Sequence, residues 1–426
     1  MITSAPENFD TQDHSPAVEQ ASQFSKSGES CVLQERAETL LRELVTIDSS
    51  TTNFLGVTHA QRRIEAELFS MGFSTRLIAS PMDHATSFLV AELRGQHADF
   101  ITFVSHSDTV LANDAFSTPF RVDAITGRAY GSGVIDNKGG VVVLLEGLRK
   151  YLSSLVGEKP HFSLRVLISP NEEAGSAGFL DLYASFAESS ACVLGFEPAL
   201  ENGSIIESRR GNRWYQIHIR GREAHAGRCR GEQVNAAHEL AMKIVKLHEL
   251  HRPEEGVAVN IAQIEGGRDR FNVVCGEARA KLDVRFASFA SRDALHSEIE
   301  RIFSTSHVPR ANDGLEASCR YTIDDDCPPF SRTNASRKAI DFYLRTIEEI
   351  EGTRPQAEKA GGAGDVNYMS KANIAVLDGL GPVGGGMHTT DEFIVLSSLS
   401  TRAQALAEFL SHAPGLLAQD SGIDYF

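Results

Sequence analysis

Two histidines, one aspartate and three glutamates stand in five short segments whose residue types suit metal chemistry. They are His106 in Ser105-His106-Ser107-Asp108, Asp136 in Gly133-Val134-Ile135-Asp136-Asn137-Lys138, Glu172 and Glu173 in Asn171-Glu172-Glu173, Glu197 in Phe196-Glu197-Pro198, and His388 in Met387-His388-Thr389-Thr390. Imidazole and carboxylate ligands suit Zn2+ or a related divalent ion. Five of these six side chains would fill two adjacent cation sites that share one carboxylate, leaving the sixth as a general base. Asp136 is the natural bridge, because a short carboxylate can hold two ions about 3.5–4 Å apart. Asp108, two residues beyond His106, is placed to orient the imidazole. The adjacent Glu172 and Glu173 can divide the remaining work, one on metal and one on water, since neighbouring side chains point in different directions. Together these residues describe a two-metal hydrolase.

Ligands so far apart in sequence converge only if the fold brings strand ends together. Phe88–Leu93, Phe100–Val104, Ser163–Ser169, Ala191–Phe196 and Ile374–Leu377 read as strands. Leu33–Leu44, Ala60–Met71, Gly139–Leu155, Gly178–Ala187 and Ala335–Ile350 carry helical spacing. The alternation predicts a mixed, mostly parallel α/β sheet flanked by helices, in which ligands gather beyond the carboxyl ends of the strands. His106, Glu172, Glu173 and Glu197 each follow a strand, Ile374–Leu377 leads to His388, and Asp136 precedes the helix at Gly139-Gly140. Between residues 209 and 324 the pattern changes to β-α-β-β-α-β, the ferredoxin-like order, as expected of an inserted α+β domain. That gives a tail over 1–30, a catalytic domain in two parts (31–208 and 325–426), and the insert. Asp324-Asp325-Asp326-Cys327-Pro328-Pro329 reads as punctuation of the chain's return.

Composition narrows the function classes. The formal net charge of −16 argues against a nucleic-acid partner, which needs clustered Lys and Arg. No apolar run approaches the ~18 residues of a spanning helix. Met1 to Ser30 lacks a basic start and an apolar stretch, so it reads as a loosely held tail rather than a signal peptide. The six cysteines form no CxxC pair, as expected of free thiols in the cytoplasm. Gly131-Ser132-Gly133 lacks the third glycine of a dinucleotide fingerprint, and Lys138-Gly139 is not a P-loop.

The motifs H-S-D, G-S-G-V-I-D-N-K-G-G, N-E-E-A-G-S-A-G, F-E-P and G-G-G-M-H-T-T-D-E resemble those of the M20 family of dinuclear zinc peptidases and deacylases, over a stretch from about Ala37 to the C-terminus. Glu197 followed by Pro198 is most similar to the carboxypeptidase G-type branch. The resemblance implies two Zn2+ per subunit, with Co2+ or Mn2+ as alternatives. His106 and Glu197 would hold one ion, Glu173 and His388 the other, and Asp136 would bridge, with a cis peptide to Asn137. Glu172 would be the general base and acid. The insert would be the family's lid and dimerisation domain. His225, in Gly221-Arg222-Glu223-Ala224-His225-Ala226-Gly227, would reach the partner subunit's site and steady the oxyanion. Asn272 and Arg285 would grip a substrate carboxylate, a task that suits the guanidinium fork. Cys275 stands where many relatives have Pro.

The expected activity is hydrolysis of the amide bond of a small peptide or N-acyl amino acid with a free carboxylate, by a cytoplasmic homodimer. Within that class a carboxypeptidase releasing glutamate or another acidic residue competes with a biosynthetic deacylase. An inactive dimeric binding protein is the alternative of another class, and the complete ligand set speaks against it.

Overall fold

The computed structural model describes residues 32–82, 85–371 and 374–417. The expected N-terminal tail lies outside the described residues. A helix over residues 32–46 (α1) and helix α2 (Phe54–Ser70) open the chain, α2 beginning at Asn53, whose side chain accepts the Gly56 N–H. Strands β1 (Ser74–Ala79), β2 (Ser87–Leu93) and β3 (Phe100–His106) follow, then the short β4 (Arg121–Asp123) and β5 (Arg128–Tyr130). Helix α3 (Lys138–Ser154), β6 (Ser163–Ser169), α4 (Leu180–Ala187), β7 (Ser190–Gly195) and β8 (Ile205–Arg209) complete the first part.

The central sheet has the order β1-β2-β6-β3-β7-β14, where β14 is Ala375–Leu377. β6, β3, β7 and β14 run parallel, and β2 joins β6 antiparallel at one side. This is the mixed, mostly parallel α/β sheet that the alternation predicts. Both β3 and β6 are buried along their whole length, as strands covered by helices on both faces must be. Leu144, Leu145 and Leu148 of α3 join one apolar cluster with Leu406, Phe409 and Leu410 of the last helix, α8 (Ser397–Leu417).

The inserted unit comprises β9 (Gly211–Arg220), α5 (Ala236–His248), β10 (Ala258–Gly266), β11 (Glu277–Phe286), α6 (Phe289–Ser304) and β12 (Ser318–Cys327). Its antiparallel sheet has the order β10-β11-β9-β12, the ferredoxin-like arrangement. Tyr215, Ile217 and Ile219 of β9 and Ala280, Leu282 and Val284 of β11 bury one face with Leu240, Leu247, Leu295 and Ile299 from α5 and α6. The alternation leaves Asn212, Trp214, Gln216 and His218 on the other face.

The acidic run does not terminate the insert as its composition suggests. β12 continues through it to Cys327, with a register shift between Ile323 and Asp325. Its carboxylates are compensated by neighbouring elements: Asp325 accepts from Asn212 of β9 and from the Tyr368 hydroxyl, and Asp326 takes both forks of Arg213 of β9 at 2.9 and 2.7 Å. Helix α7 (Asn334–Glu351), β13 (Ala357–Ala360), β14, β15 (Gly384–Gly385), β16 (Phe393–Val395) and α8 complete the chain. β13 pairs with β8 in a two-stranded parallel sheet. β15, β16, β5 and β4 make a second small sheet, with strands too short to be read from periodicity.

Candidate metal centre and cleft

His106 is the last residue of β3 and is fully buried. Its Nε2 lies 3.1 Å from Asp136 Oδ1 and 3.7 Å from Glu197 Oε1. Its Nδ1 faces Asp108, 3.1 Å from the carbonyl and 3.3 Å from Oδ1. Asp108 is therefore where it can orient the ring. It also accepts the backbone N–H groups of Glu172 (3.0 Å) and Glu173 (3.3 Å) and the Thr51 hydroxyl (2.8 Å). Glu172 and Glu173 form one helical turn after β6, closed by Gly175 in the left-handed region. One carboxylate thus fixes both a ligand ring and the turn that carries two glutamates.

Asp136 precedes α3, and its peptide bond to Asn137 is cis. Its Oδ2 lies 3.3 Å from His388 Nε2, and the same nitrogen lies 3.4 Å from Glu173 Oε2. Two groups of three ligand atoms result, each within 4.8 Å: His106, Asp136 and Glu197, and Asp136, Glu173 and His388. Asp136 belongs to both. The residues fit a pair of cations on a second count. Glu173 Oε1 is buried with no hydrogen-bond partner, the kind of oxygen that a cation satisfies.

The electrostatics match this crowding. Burial raises Glu197 to about 8, helped by Asp136 and opposed by His106. Burial also raises Glu172 well above the carboxylate range, with Glu197 adding to it. At Asp136 burial is outweighed by His106 and His388, which hold it below its usual range. Asp136 and Glu173 raise His388 to about 10.

His388 is carried differently from the sequence expectation. Ile374–Leu377 does not present it directly. The chain crosses from β14 to the small sheet, and His388 sits in the turn between β15 and β16 with φ 62°. Glu392, in the same turn, is a residue whose role was missed. Its buried carboxylate accepts the N–H groups of Gly133 (3.0 Å), Ile135 (3.0 Å) and Asp136 (3.1 Å), so the turn that carries one ligand also clamps the loop that carries the bridge. Glu392 belongs to the H-T-T-D-E motif, but nothing in the motif points to a loop more than 250 residues away.

A cleft of about 180 Å³ lies beside Glu172 and Glu173. The open face of the inserted sheet lines it with Asn212, Trp214 and Arg285, and β12 adds Asp325. Arg285 therefore meets the same cleft as the glutamates, with its Nε on Asp283 at 3.0 Å. His225 and Asn272 do not line it. They sit side by side, both exposed, where residues 224–226 pair with 272–274: Ala226 N–H donates to the Asn272 carbonyl at 2.9 Å, and Val274 N–H to Ala224 at 2.9 Å. The Gly227 N–H donates to His225 Nδ1 at 3.2 Å, which leaves the proton of the neutral ring on Nε2.

The model of peptidase family M20/M25/M40 matches residues 102–412, more than half of the chain. The chain belongs to this family. As a family member it is a metal-dependent hydrolase of amide bonds. The M20 chain is 27% identical over 373 residues to carboxypeptidase G2 of a Pseudomonas species, covering 87% of each protein. It is 25% identical to succinyl-diaminopimelate desuccinylase of Methylocella silvestris, covering 89% of this chain and 98% of that one. Two solved structures share its fold over 89% of this chain and 99% of theirs. They are aminopeptidase PepT of Bacillus cereus (TM-score 0.70, 21% identity) and the metallo-carboxypeptidase Sso-CP2 of Sulfolobus solfataricus (TM-score 0.68, 15% identity).

Proposed function

We propose that this M20 enzyme hydrolyses the amide bond of a dipeptide or an N-acyl amino acid with a free carboxylate, using two divalent ions, most simply Zn2+, with Co2+ or Mn2+ as alternatives. The observation that carries the reading is the pair of ligand groups sharing Asp136, with Glu172 beside them and Arg285 across the cleft. Bound there, divalent ions supply Lewis-acid polarisation of a carbonyl and make water a stronger acid. His106, Asp136, Glu173, Glu197 and His388 would hold them. Glu172 takes the proton of the attacking water and hands it to the departing amine nitrogen. Arg285 offers the substrate carboxylate the arms of its guanidinium that Asp283 does not engage, which fixes the scissile bond over the glutamates.

His225 and Asn272 serve a second subunit in this reading. Their exposed position outside the protomer's own cleft, and a His225 Nε2 proton free to donate, fit a contribution across a homodimer formed through the inserted domain. The five described cysteines are free, which fits a cytoplasmic enzyme. No described helix is long and apolar enough to cross a membrane.

The test is release of free amine from N-acyl amino acids and dipeptides by zinc- or cobalt-loaded protein. Glu172→Ala should lower turnover by about 10²–10⁴-fold with metal content intact. Wild-type turnover in that variant, or metal-loaded protein inert toward every substrate, would reject the reading.

A further inference from the structure

The chain's single tryptophan stands in the cleft. Trp214 lies on the open face of the inserted sheet, half-buried, two residues along β9 from Asn212. Asn212 is directly opposite Arg285 across β9 and β11, so Trp214 and Arg285 are diagonal neighbours on one face, within reach of long side chains. The far wall is the glutamate turn. A Cβ on Gly175 would lie 3.7 Å from the indole, ordinary van der Waals contact, so the ring packs directly against the turn. Beside Trp214 on the β12 side lies Asp325, buried and bonded to Asn212 and Tyr368. Asp365 lines the same cleft, and Arg285 is the one cationic side chain among the described residues that line it.

We infer that the cleft selects a substrate whose C-terminal residue has an aromatic or large apolar side chain, with Trp214 as its platform, and turns away an acidic one. This rests on the proposed reading that Arg285 takes the carboxylate. With the carboxylate on Arg285, the side chain of that residue falls alongside the indole, where ring faces and edges attract. A side-chain carboxylate would meet Asp325 and Asp365 with Arg285 already engaged. A glutamate preference would need a second cationic side chain beside Arg285, and none stands among the described residues that line the cleft.

The experiment compares kcat/KM of the zinc-loaded protein on N-acetylphenylalanine, N-acetylalanine, N-acetylglutamate and N-acetyllysine, with Trp214→Ala and Trp214→Phe. The wild type should favour phenylalanine over glutamate by at least about tenfold, and Trp214→Ala should cut the phenylalanine-to-alanine ratio by about tenfold while Trp214→Phe largely keeps it. Wild-type activity on glutamate or lysine equal to that on phenylalanine overturns the inference, as does a Trp214→Ala loss equal on all substrates. Hydrolysis of none of them, and of no dipeptide either, rejects the proposed reaction instead. Binding then decides the inference, because all tryptophan emission comes from Trp214. A saturable change with N-acetylphenylalanine and none with N-acetylglutamate supports it, and no saturable change with N-acetylphenylalanine overturns it.

Discussion

Both oxygens of Asp108 are engaged, Oδ1 by the His106 ring and the Glu172 N–H, Oδ2 by the Glu173 N–H and the Thr51 hydroxyl. Three of these four partners belong to residues of the candidate metal centre, so the buried carboxylate is a positioning residue for groups that follow two strands. Asp108→Ala should therefore lower metal affinity by about 10–100-fold, measured by competition with a chelating dye. Unchanged affinity would mean that the ring and the turn are held by their own strands. Glu392 makes a parallel case. Removing its carboxylate leaves the Gly133, Ile135 and Asp136 N–H groups without their acceptor in a buried loop. Each such group costs about 1–3 kcal/mol, so Glu392→Ala should lower the unfolding free energy by several kcal/mol in denaturant titration, and Glu392→Gln by less. The ligand types were legible in the sequence because each sits in a compact motif. Glu392 and Trp214 were not, because a carboxylate serving a distant loop and an indole meeting a turn across the cleft leave no local pattern.

Elements place these residues through close backbone approach. Helix α3 starts at Lys138, two residues beyond Asp136, and its second glycine packs under two neighbours. A Cβ on Gly140 would lie 2.0 Å from the Phe196 carbonyl oxygen and 2.0 Å from Asn137 Oδ1. Asn137 in turn donates to Glu197 Oε1 at 3.2 Å. Gly140→Ala must therefore push α3 away from both ligand loops at once. It should destabilise the protein by about 1–3 kcal/mol and reduce bound metal, read together by thermal unfolding and metal analysis. Loss of stability with full metal content would show that the loops accommodate the shift. The long elements followed from periodicity, since β3, β6 and α3 are buried along most of their length and must be apolar there. The small sheet did not, because β15 has two residues and β5 and β16 three each, too few to show alternation. That is why His388 could be read as a ligand and not as a residue in a hairpin turn.

At the scale of the molecule, the larger unit gathers Asp136, Glu172, Glu173 and Glu197 at one end of its sheet, against His106 and His388, the two candidate ligand histidines. Burial and mutual repulsion raise Glu172 and Glu197, so assembling this end costs free energy that cations bound there would offset. The inserted unit has its own apolar cluster under α5 and α6, on the sheet face opposite the one that lines the cleft. Metal removal should therefore act unequally. Chelation should lower the unfolding temperature of the larger unit, and restoring zinc to 100 times its dissociation constant should return about 2.7 kcal/mol by mass action. The inserted unit should keep its stability in both states. Hydrogen exchange of the amides of β3 and β6 against those of β9 and β11 separates the two. Faster exchange in β3 and β6 alone after chelation is the expected result. Equal loss in both units would mean that cleft and insert unfold as one body, with the contacts of Asn212, Trp214 and Arg285 strong enough to transmit loss of the metal across the cleft.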